Sequence, residues 1–159
     1  PNLVVIRSLS KLYAIAGLRF GYAVAHPERL QRWASWRDPW PINSAAAAVV
    51  QTLLRDPVRH RRWCRLVQRW TAQEGAWLRE QLAALPGLTP MPSAANFLLL
   101  RGERSLVPLR AALEQRHRIL LRDCRSFEGL GECWLRIGYQ SRRNNRRIIS
   151  AIRREWLSR

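Results

Sequence analysis

Ser8-Leu9-Ser10-Lys11-Leu12-Tyr13-Ala14-Ile15-Ala16-Gly17-Leu18-Arg19-Phe20-Gly21-Tyr22 is the stretch on which the fold of this chain turns. A lysine amine attacks a carbonyl only when neutral, so a lysine that carries a group covalently needs a protected position. A phosphorylated group held beside it needs hydroxyls, backbone N–H groups and a fixed cation. Ser8 and Ser10 place two hydroxyls next to Lys11, the only lysine of the chain. Arg19 follows Gly17 on a segment that returns toward the same place, and its planar fork of donors suits phosphate oxygens. The glycines allow the backbone to come close. On composition alone, an ordinary lysine in a strand-loop-strand with a solvated head is the better explanation of these residues.

Outward from this stretch, Leu3 to Ile6 is an apolar, β-branched run that predicts a buried strand. Arg7 to Ala16 is then a loop, and Tyr22 to Ala25 a second strand. Pro27 and Glu28 open a helix that carries Leu30, Trp33 and Trp36 and ends near Asp38-Pro39. Ser44 caps a small-residue helix over 45–54. Asp56-Pro57 starts the longest helix, to about Leu85, with Leu66, Trp70, Trp77 and Leu82 among its apolar positions and Gly75 as an interruption. Further on, the pattern alternates: an edge strand over 88–91, a buried strand over 96–100, a helix over 105–117, a strand over 119–122, a glycine-containing loop, a strand over 134–139 and an amphipathic helix over 141–157. That series predicts an α+β sheet with helices on one face.

Two arginines stand out in the second half. Arg122 ends an apolar run, and Arg136 lies inside Trp134-Leu135-Arg136-Ile137-Gly138. An arginine among apolar strand residues needs a partner, because an unpaired buried charge is costly. Structural ion pairs and exposed edge positions are equally open readings.

The 159 residues suit one ordinary domain or slightly more. The formal charge is +17, and the excess is nearly all arginine. These arginines are scattered over several helices rather than gathered in one tract, so the charge is read as a solvated basic surface and not as a nucleic-acid site. Three cysteines and three histidines lack the spacing of a metal site or a disulfide framework; no metal is expected, and a reduced cytoplasmic setting is the default. The eight tryptophans fall mostly at helical core spacings and are read as packing. No apolar run is long enough to cross a membrane. The first residues, Pro1 to Ile6, read as a strand entered in mid-domain, so the chain is expected to be a fragment.

The 8–22 stretch strongly resembles the cofactor-lysine signature of the fold-type-I pyridoxal-5'-phosphate (PLP) aminotransferases: Ser-x-[Ser/Thr]-Lys, a short loop, then Gly-[Leu/Ile]-Arg-x-Gly-Tyr. The resemblance implies that Lys11 carries PLP and that Ser8, Ser10 and Arg19 bind its phosphate. Arg122 to Leu130 followed by Trp134 to Ile137 looks like the small-domain segment of threonine-phosphate decarboxylases, relatives of the histidinol-phosphate aminotransferases. Both groups use arginines here for anionic substrates, which implies that Arg122 and Arg136 hold a substrate phosphate and carboxylate. Trp40-Pro41-Ile42-Asn43 and Pro92-Ser93-Ala94-Ala95-Asn96-Phe97 agree with the same family, so the likeness runs from Leu3 to about Ile152.

The implied fold is α/β, the C-terminal part of an aspartate aminotransferase-like PLP-transferase: residues 1–43 as the tail of the cofactor-binding large domain, and residues 44–159 as a helical connection and a small α+β domain. The implied reaction is decarboxylation of L-threonine O-3-phosphate to (R)-1-amino-2-propanol O-2-phosphate for cobalamin assembly. The alternatives are histidinol-phosphate transamination and a non-catalytic remnant or basic interaction module. A whole enzyme of this kind is expected to be a homodimer acting on a small phosphorylated substrate. The family's pyridine-pairing Asp, ring-hydroxyl Asn, stacked aromatic and Gly-rich phosphate contacts precede its lysine. Only ten residues precede Lys11, so this stretch alone is expected to catalyse poorly.

Overall fold

The computed structural model describes residues 2–158; Pro1 and Arg159, the outer bounds of the two expected segments, lie outside the described residues. The chain forms two compact units, Pro1–Val67 and Gln68–Arg159.

In the first unit, β1 (Val5–Ser8) and β2 (Gly21–Val24) form an antiparallel pair with Ser8 opposite Gly21. The first strand begins two residues later than the apolar run predicts, and it takes in Arg7 and Ser8 from the expected loop. Both strands are exposed along their whole length, including Ile6 and Val24, so the expected burial of this run is not met within this chain. A Cβ on Gly21 would sit 3.0 Å from the Arg7 carbonyl oxygen, so this position favours glycine. Next, α1 (Pro27–Ala34) starts with proline as expected but stops earlier, where the Ser35 hydroxyl donates to the Arg32 carbonyl at 2.8 Å. Helix α2 (Ser44–Leu54) is capped by Asn43, not Ser44: the Asn43 side chain accepts from the Ala46 N–H at 2.8 Å. Asp56 accepts from Val58 and Arg59 at 2.9 and 3.0 Å and starts α3 (Pro57–Ala83), which continues through the division between the units.

In the second unit, β3 (Leu88–Pro90), β4 (Phe97–Gly102), β5 (Arg122–Asp123) and β6 (Trp134–Gly138) form one antiparallel sheet in the order β3-β4-β6-β5. Alternation along β4 and β6 buries Leu98, Leu100, Leu135 and Ile137 on one face. That face packs with Leu109 and Leu113 of α4 (Val107–His117) and Ile148, Ile149 and Ile152 of α5 (Arg142–Leu157), together with Leu78 and Leu82 of α3. Each such side chain contributes roughly 2 kcal/mol on leaving water. Helices on one face of an α+β sheet match the sequence pattern.

Four expectations change. Residues Ile119 and Leu121 are buried but not in a strand: Arg118 turns left-handed (φ 53°) at the end of α4, and the Ile119 N–H bonds back to Leu113. Pairing therefore begins only at Arg122. Helix α3 is not interrupted at Gly75. A Cβ there would lie 2.8 Å from the Tyr139 hydroxyl, so the glycine makes room for a buried ring. The third change concerns the tryptophans: only Trp156 is fully buried, while Trp36, Trp40, Trp63 and Trp70 are exposed. Leu66 on α3 is exposed too.

One polar cluster is buried with this core. Glu74 accepts from Arg142 at 3.0–3.1 Å and from Asn145 at 2.7 Å, and Asn145 also donates to the Gln140 carbonyl at 2.8 Å. The Arg142 hydrogen bonds chiefly hold the Glu74 carboxyl below its ordinary range, against the effect of burial.

Candidate functional site

The β1–β2 ladder brings the first set of predicted residues to one end of the hairpin. Ser8 closes the ladder opposite Gly21, Lys11 lies three residues beyond it, and Arg19 lies two residues before Gly21. Ser10 ties the two sides together, its hydroxyl 3.5 Å from the Phe20 carbonyl and its N–H donating to Ser8 Oγ at 3.3 Å. Ser10 is buried, whereas Ser8, Lys11 and Arg19 are exposed.

Arg19 is in the left-handed region (φ 55°), closing the 3-10 turn Ala16–Leu18. One guanidinium nitrogen donates to the Ala16 carbonyl at 3.2 Å, which leaves its other donors open. Asn43, which caps α2, also donates to the Leu18 carbonyl at 3.1 Å and so steadies the residue just before Arg19. Among the described residues no carboxylate pairs with Lys11 or Arg19. One amine, one guanidinium and an exposed hydroxyl, none of them paired to a carboxylate among the described residues, are a donor set that fits a phosphorylated aldehyde. This chemistry is the test that PLP must meet here, and the residues meet it.

The second set lies in the other unit. The fourteen-residue spacing places Arg122 of β5 directly opposite Arg136 of β6. Directly opposed residues on one sheet face have Cβ atoms about 5 Å apart, and like charges there oppose the fold. Among the described residues neither arginine has a carboxylate partner; each rests on a phenylalanine instead. The Arg136 guanidinium carbon lies 4.9 Å from the Phe97 ring centre, and that of Arg122 lies 5.3 Å from Phe127. Arg122 also reaches Ser126 Oγ at 3.5 Å. Arg136 shares the face of β6 opposite to Leu135 and Ile137, away from the helices. Of the two readings that the sequence left open, the ion pair is not found among the described residues, while Arg122 does occupy an exposed edge strand and Arg136 a half-buried inner one; together they form a like-charged pair braced by aromatic rings.

The neighbouring acid does not neutralise this pair. Asp123 is gripped by Arg125 through its side chain at 2.6–3.1 Å and its N–H at 2.9 Å. The side-chain hydrogen bonds from Arg125, then the backbone one, hold the Asp123 carboxyl at about 2. Cys124 is fully buried, and burial pushes its thiol pKa up, with Arg136 pulling the other way. Its thiol donates to the Arg122 carbonyl at 3.7 Å, which braces the strand. Two opposed cations with no internal counter-ion suit a ligand bearing two negative charges, or two anionic groups.

Phe97 and Phe127 were not singled out as site residues from sequence. Alternation along β4 marks Phe97 as facing away from the core, on the same side as Arg136, and that signal was available. Nothing periodic marks Phe127, which lies in a loop.

Comparison with known proteins gives the family of the chain. The family model described as aminotransferase class I and II matches residues 1–152. A threonine-phosphate decarboxylase of Salmonella typhimurium is 37% identical over 154 residues, covering 96% of this chain and 41% of that protein. A histidinol-phosphate aminotransferase of Symbiobacterium thermophilum is 38% identical over 153 residues, covering 96% and 40%. Among solved structures, the L-threonine-O-3-phosphate decarboxylase of Porphyromonas gingivalis superposes with a TM-score of 0.88 at 30% identity, over 99% of this chain and 47% of that one. The chain thus spans about two fifths of the length of the curated relatives it matches.

Proposed function

The chain belongs to the aminotransferase class I and II family, and from that premise we propose that it is the lysine-bearing part of a PLP enzyme that decarboxylates L-threonine O-3-phosphate to (R)-1-amino-2-propanol O-2-phosphate. The observation that carries this reading is the cross-strand pairing of Arg122 with Arg136. Their two charges match a substrate that bears both a phosphate and a carboxylate.

PLP, when bound, supplies an electron sink into which a bond at the substrate α-carbon can break. The rest is the work of this chain's side chains. Lys11 offers the amine through which the cofactor is held, and it can move a proton at the α-carbon once freed. Ser8, Ser10 and Arg19 are assigned to the cofactor phosphate; of these, Ser8 and Arg19 have exposed donors. Arg122 and Arg136 hold the substrate's two anionic groups and so fix which α-carbon bond is oriented for cleavage. Residues 1–43 are assigned to the cofactor segment and 44–159 to the helical connection and small domain. A cytoplasmic, homodimeric whole enzyme belongs to the same reading.

Histidinol-phosphate transamination is the second reading, favoured by the comparable identity to the Symbiobacterium protein. Its substrate carries one phosphate and no carboxylate, so it leaves one arginine for the acidic co-substrate. The two readings separate in a calorimetric titration. Decarboxylation predicts that threonine phosphate binds better than inorganic phosphate or histidinol phosphate, and that Arg122→Gln and Arg136→Gln each remove the advantage. Release of CO2 and of the amino alcohol phosphate, in the presence of PLP, completes the assignment. Glutamate-dependent transamination without CO2 would replace it with the second reading. An absence of any anion preference would favour a non-catalytic remnant.

A further inference from the structure

The segment around Lys11 makes one set of contacts that the proposed chemistry does not use. The Tyr13 hydroxyl meets His60 Nδ1 at 2.5 Å, and the other ring nitrogen of His60 faces Cys64 Sγ at 3.6 Å. The Trp63 indole N–H donates to the Leu12 carbonyl at 2.8 Å, and the Trp63 and Tyr13 rings stack at 6.3 Å and 13°. His60, Trp63 and Cys64 occupy one stretch of α3, about fifty residues from the segment they touch. All belong to the first unit.

These contacts bear on Lys11 through its neighbours. On one side, the Ser10 carbonyl accepts from Ile15 at 2.9 Å and the Ser10 hydroxyl faces Phe20. On the other, Leu12 is held by Trp63. The Lys11 carbonyl itself takes only a long bond, 3.4 Å, from Ala14, and the side chain is exposed. Ala14 is left-handed at φ 55°, a conformation a non-glycine residue adopts only when its surroundings impose it. The loop is therefore held from outside, and α3 is what holds its second half.

We propose that His60 and Trp63 are positioning residues for Lys11, acting through Tyr13 and Leu12; the proposal rests on the reading of Lys11 as the cofactor lysine. Burial raises the Tyr13 pKa and keeps the phenol a donor. A phenol that donates here is received by Nδ1 of His60, with Nε2 turned to the Cys64 sulfur. The phenol and the thiol thus flank the two ring nitrogens of His60 and hold the imidazole from both sides. Two bonds and one stack fix the direction in which Lys11 leaves the backbone relative to Ser8 and Arg19, which sit across the hairpin end.

Two substitutions remove one hydrogen bond each while leaving an aromatic ring in place: Tyr13→Phe and Trp63→Phe. The chain has a single lysine, so borohydride reduction of its covalent product with PLP gives one side-chain secondary amine, at Lys11, which peptide mass spectrometry separates from any adduct at the N-terminal amine. Pyridoxal, which lacks the phosphate, reports amine reactivity alone. The expected result is a preference for PLP over pyridoxal in wild type that falls roughly fivefold in each variant, the change that loss of one hydrogen bond produces. Amide exchange at Tyr13 and Ile15 should quicken by a similar factor. His60→Asn, which retains a polar side chain near the phenol, should recover part of the preference lost in His60→Ala. Unchanged preference in both phenylalanine variants, with Arg19→Gln abolishing it, overturns the positioning role and leaves the cofactor reading standing. Unchanged preference in Arg19→Gln as well removes the cofactor reading; the exchange rates then decide, and unaltered rates overturn the latch too.

Discussion

Replacing Arg122 by glutamine should cost the fold almost nothing and should abolish its response to phosphate. Two opposing contributions set the first half of that statement. Taking the Cβ spacing of directly opposed residues, about 5 Å, as the nearest the two charges come, Coulomb repulsion in water is at most about 0.8 kcal/mol. Its removal stabilises the variant. Loss of the Arg122–Phe127 stack, 5.3 Å from charge to ring centre, costs about 0.5–1 kcal/mol at an exposed site. The net change in stability should stay within about 0.5 kcal/mol. The second half follows from linkage: a ligand that binds only the folded state at ten times its Kd stabilises by about 1.4 kcal/mol. The assay is urea unfolding followed by hydrogen exchange at the β4 and β6 amides, in phosphate and in chloride of equal ionic strength, which removes general screening. Wild type should gain in phosphate over chloride; Arg122→Gln and Arg136→Gln should not. Equal gains in all three proteins would refute the paired-arginine receptor. A variant destabilised by 2 kcal/mol or more would refute the claim that the pair is a site of repulsion.

Two further outcomes follow from the same structure. Gly75→Ala normally favours a helix by about 1 kcal/mol, but here the added carbon meets the Tyr139 ring at 2.8–3.0 Å. Overpacking costs about 1–3 kcal/mol, so a net loss of about 1 kcal/mol is expected in urea unfolding, and a gain would show that Tyr139 yields. Among the buried carboxylates, Glu74 and Glu155 set the acid response. Arg142 chiefly lowers the first carboxyl's pKa, and the His117 hydrogen bond chiefly lowers the second's. Because both folded values lie below the unfolded ones, their stabilisation is present above the ordinary carboxyl pKa and is lost as pH falls through the folded values. Unfolding midpoints should therefore fall steeply below about pH 4.5, and less steeply in Glu155→Gln; parallel curves would contradict this.

Much of the architecture was legible because it depends on local signals. Proline at the start of α1 and alternation along β4 and β6 each report one element, and the structure follows them. Strand pairing is what brings the candidate arginines together, since a spacing of fourteen residues becomes meaningful only when the chain folds Arg122 onto Arg136. Tertiary contacts were not legible. Gly75 reads as a helix breaker until Tyr139 is seen against it. Ile119 and Leu121 have the pattern of a strand, but the left-handed residue Arg118 diverts them. Tyr13 and His60 are 47 residues apart with no shared period. The tryptophans at helical spacings, finally, look alike in sequence whether they pack or face water, and most of them face it at least in part.

The central claim is that Lys11 is the residue that holds PLP, and absorbance titration of the chain with PLP tests it most directly. Wild type should develop the visible band of a lysine-bound cofactor, saturably and at lower concentration than pyridoxal produces any change. Lys11→Ala, which removes the only lysine, should show the spectrum of free PLP throughout the range in which wild type saturates. The same band in Lys11→Ala, or none in wild type, would contradict the account.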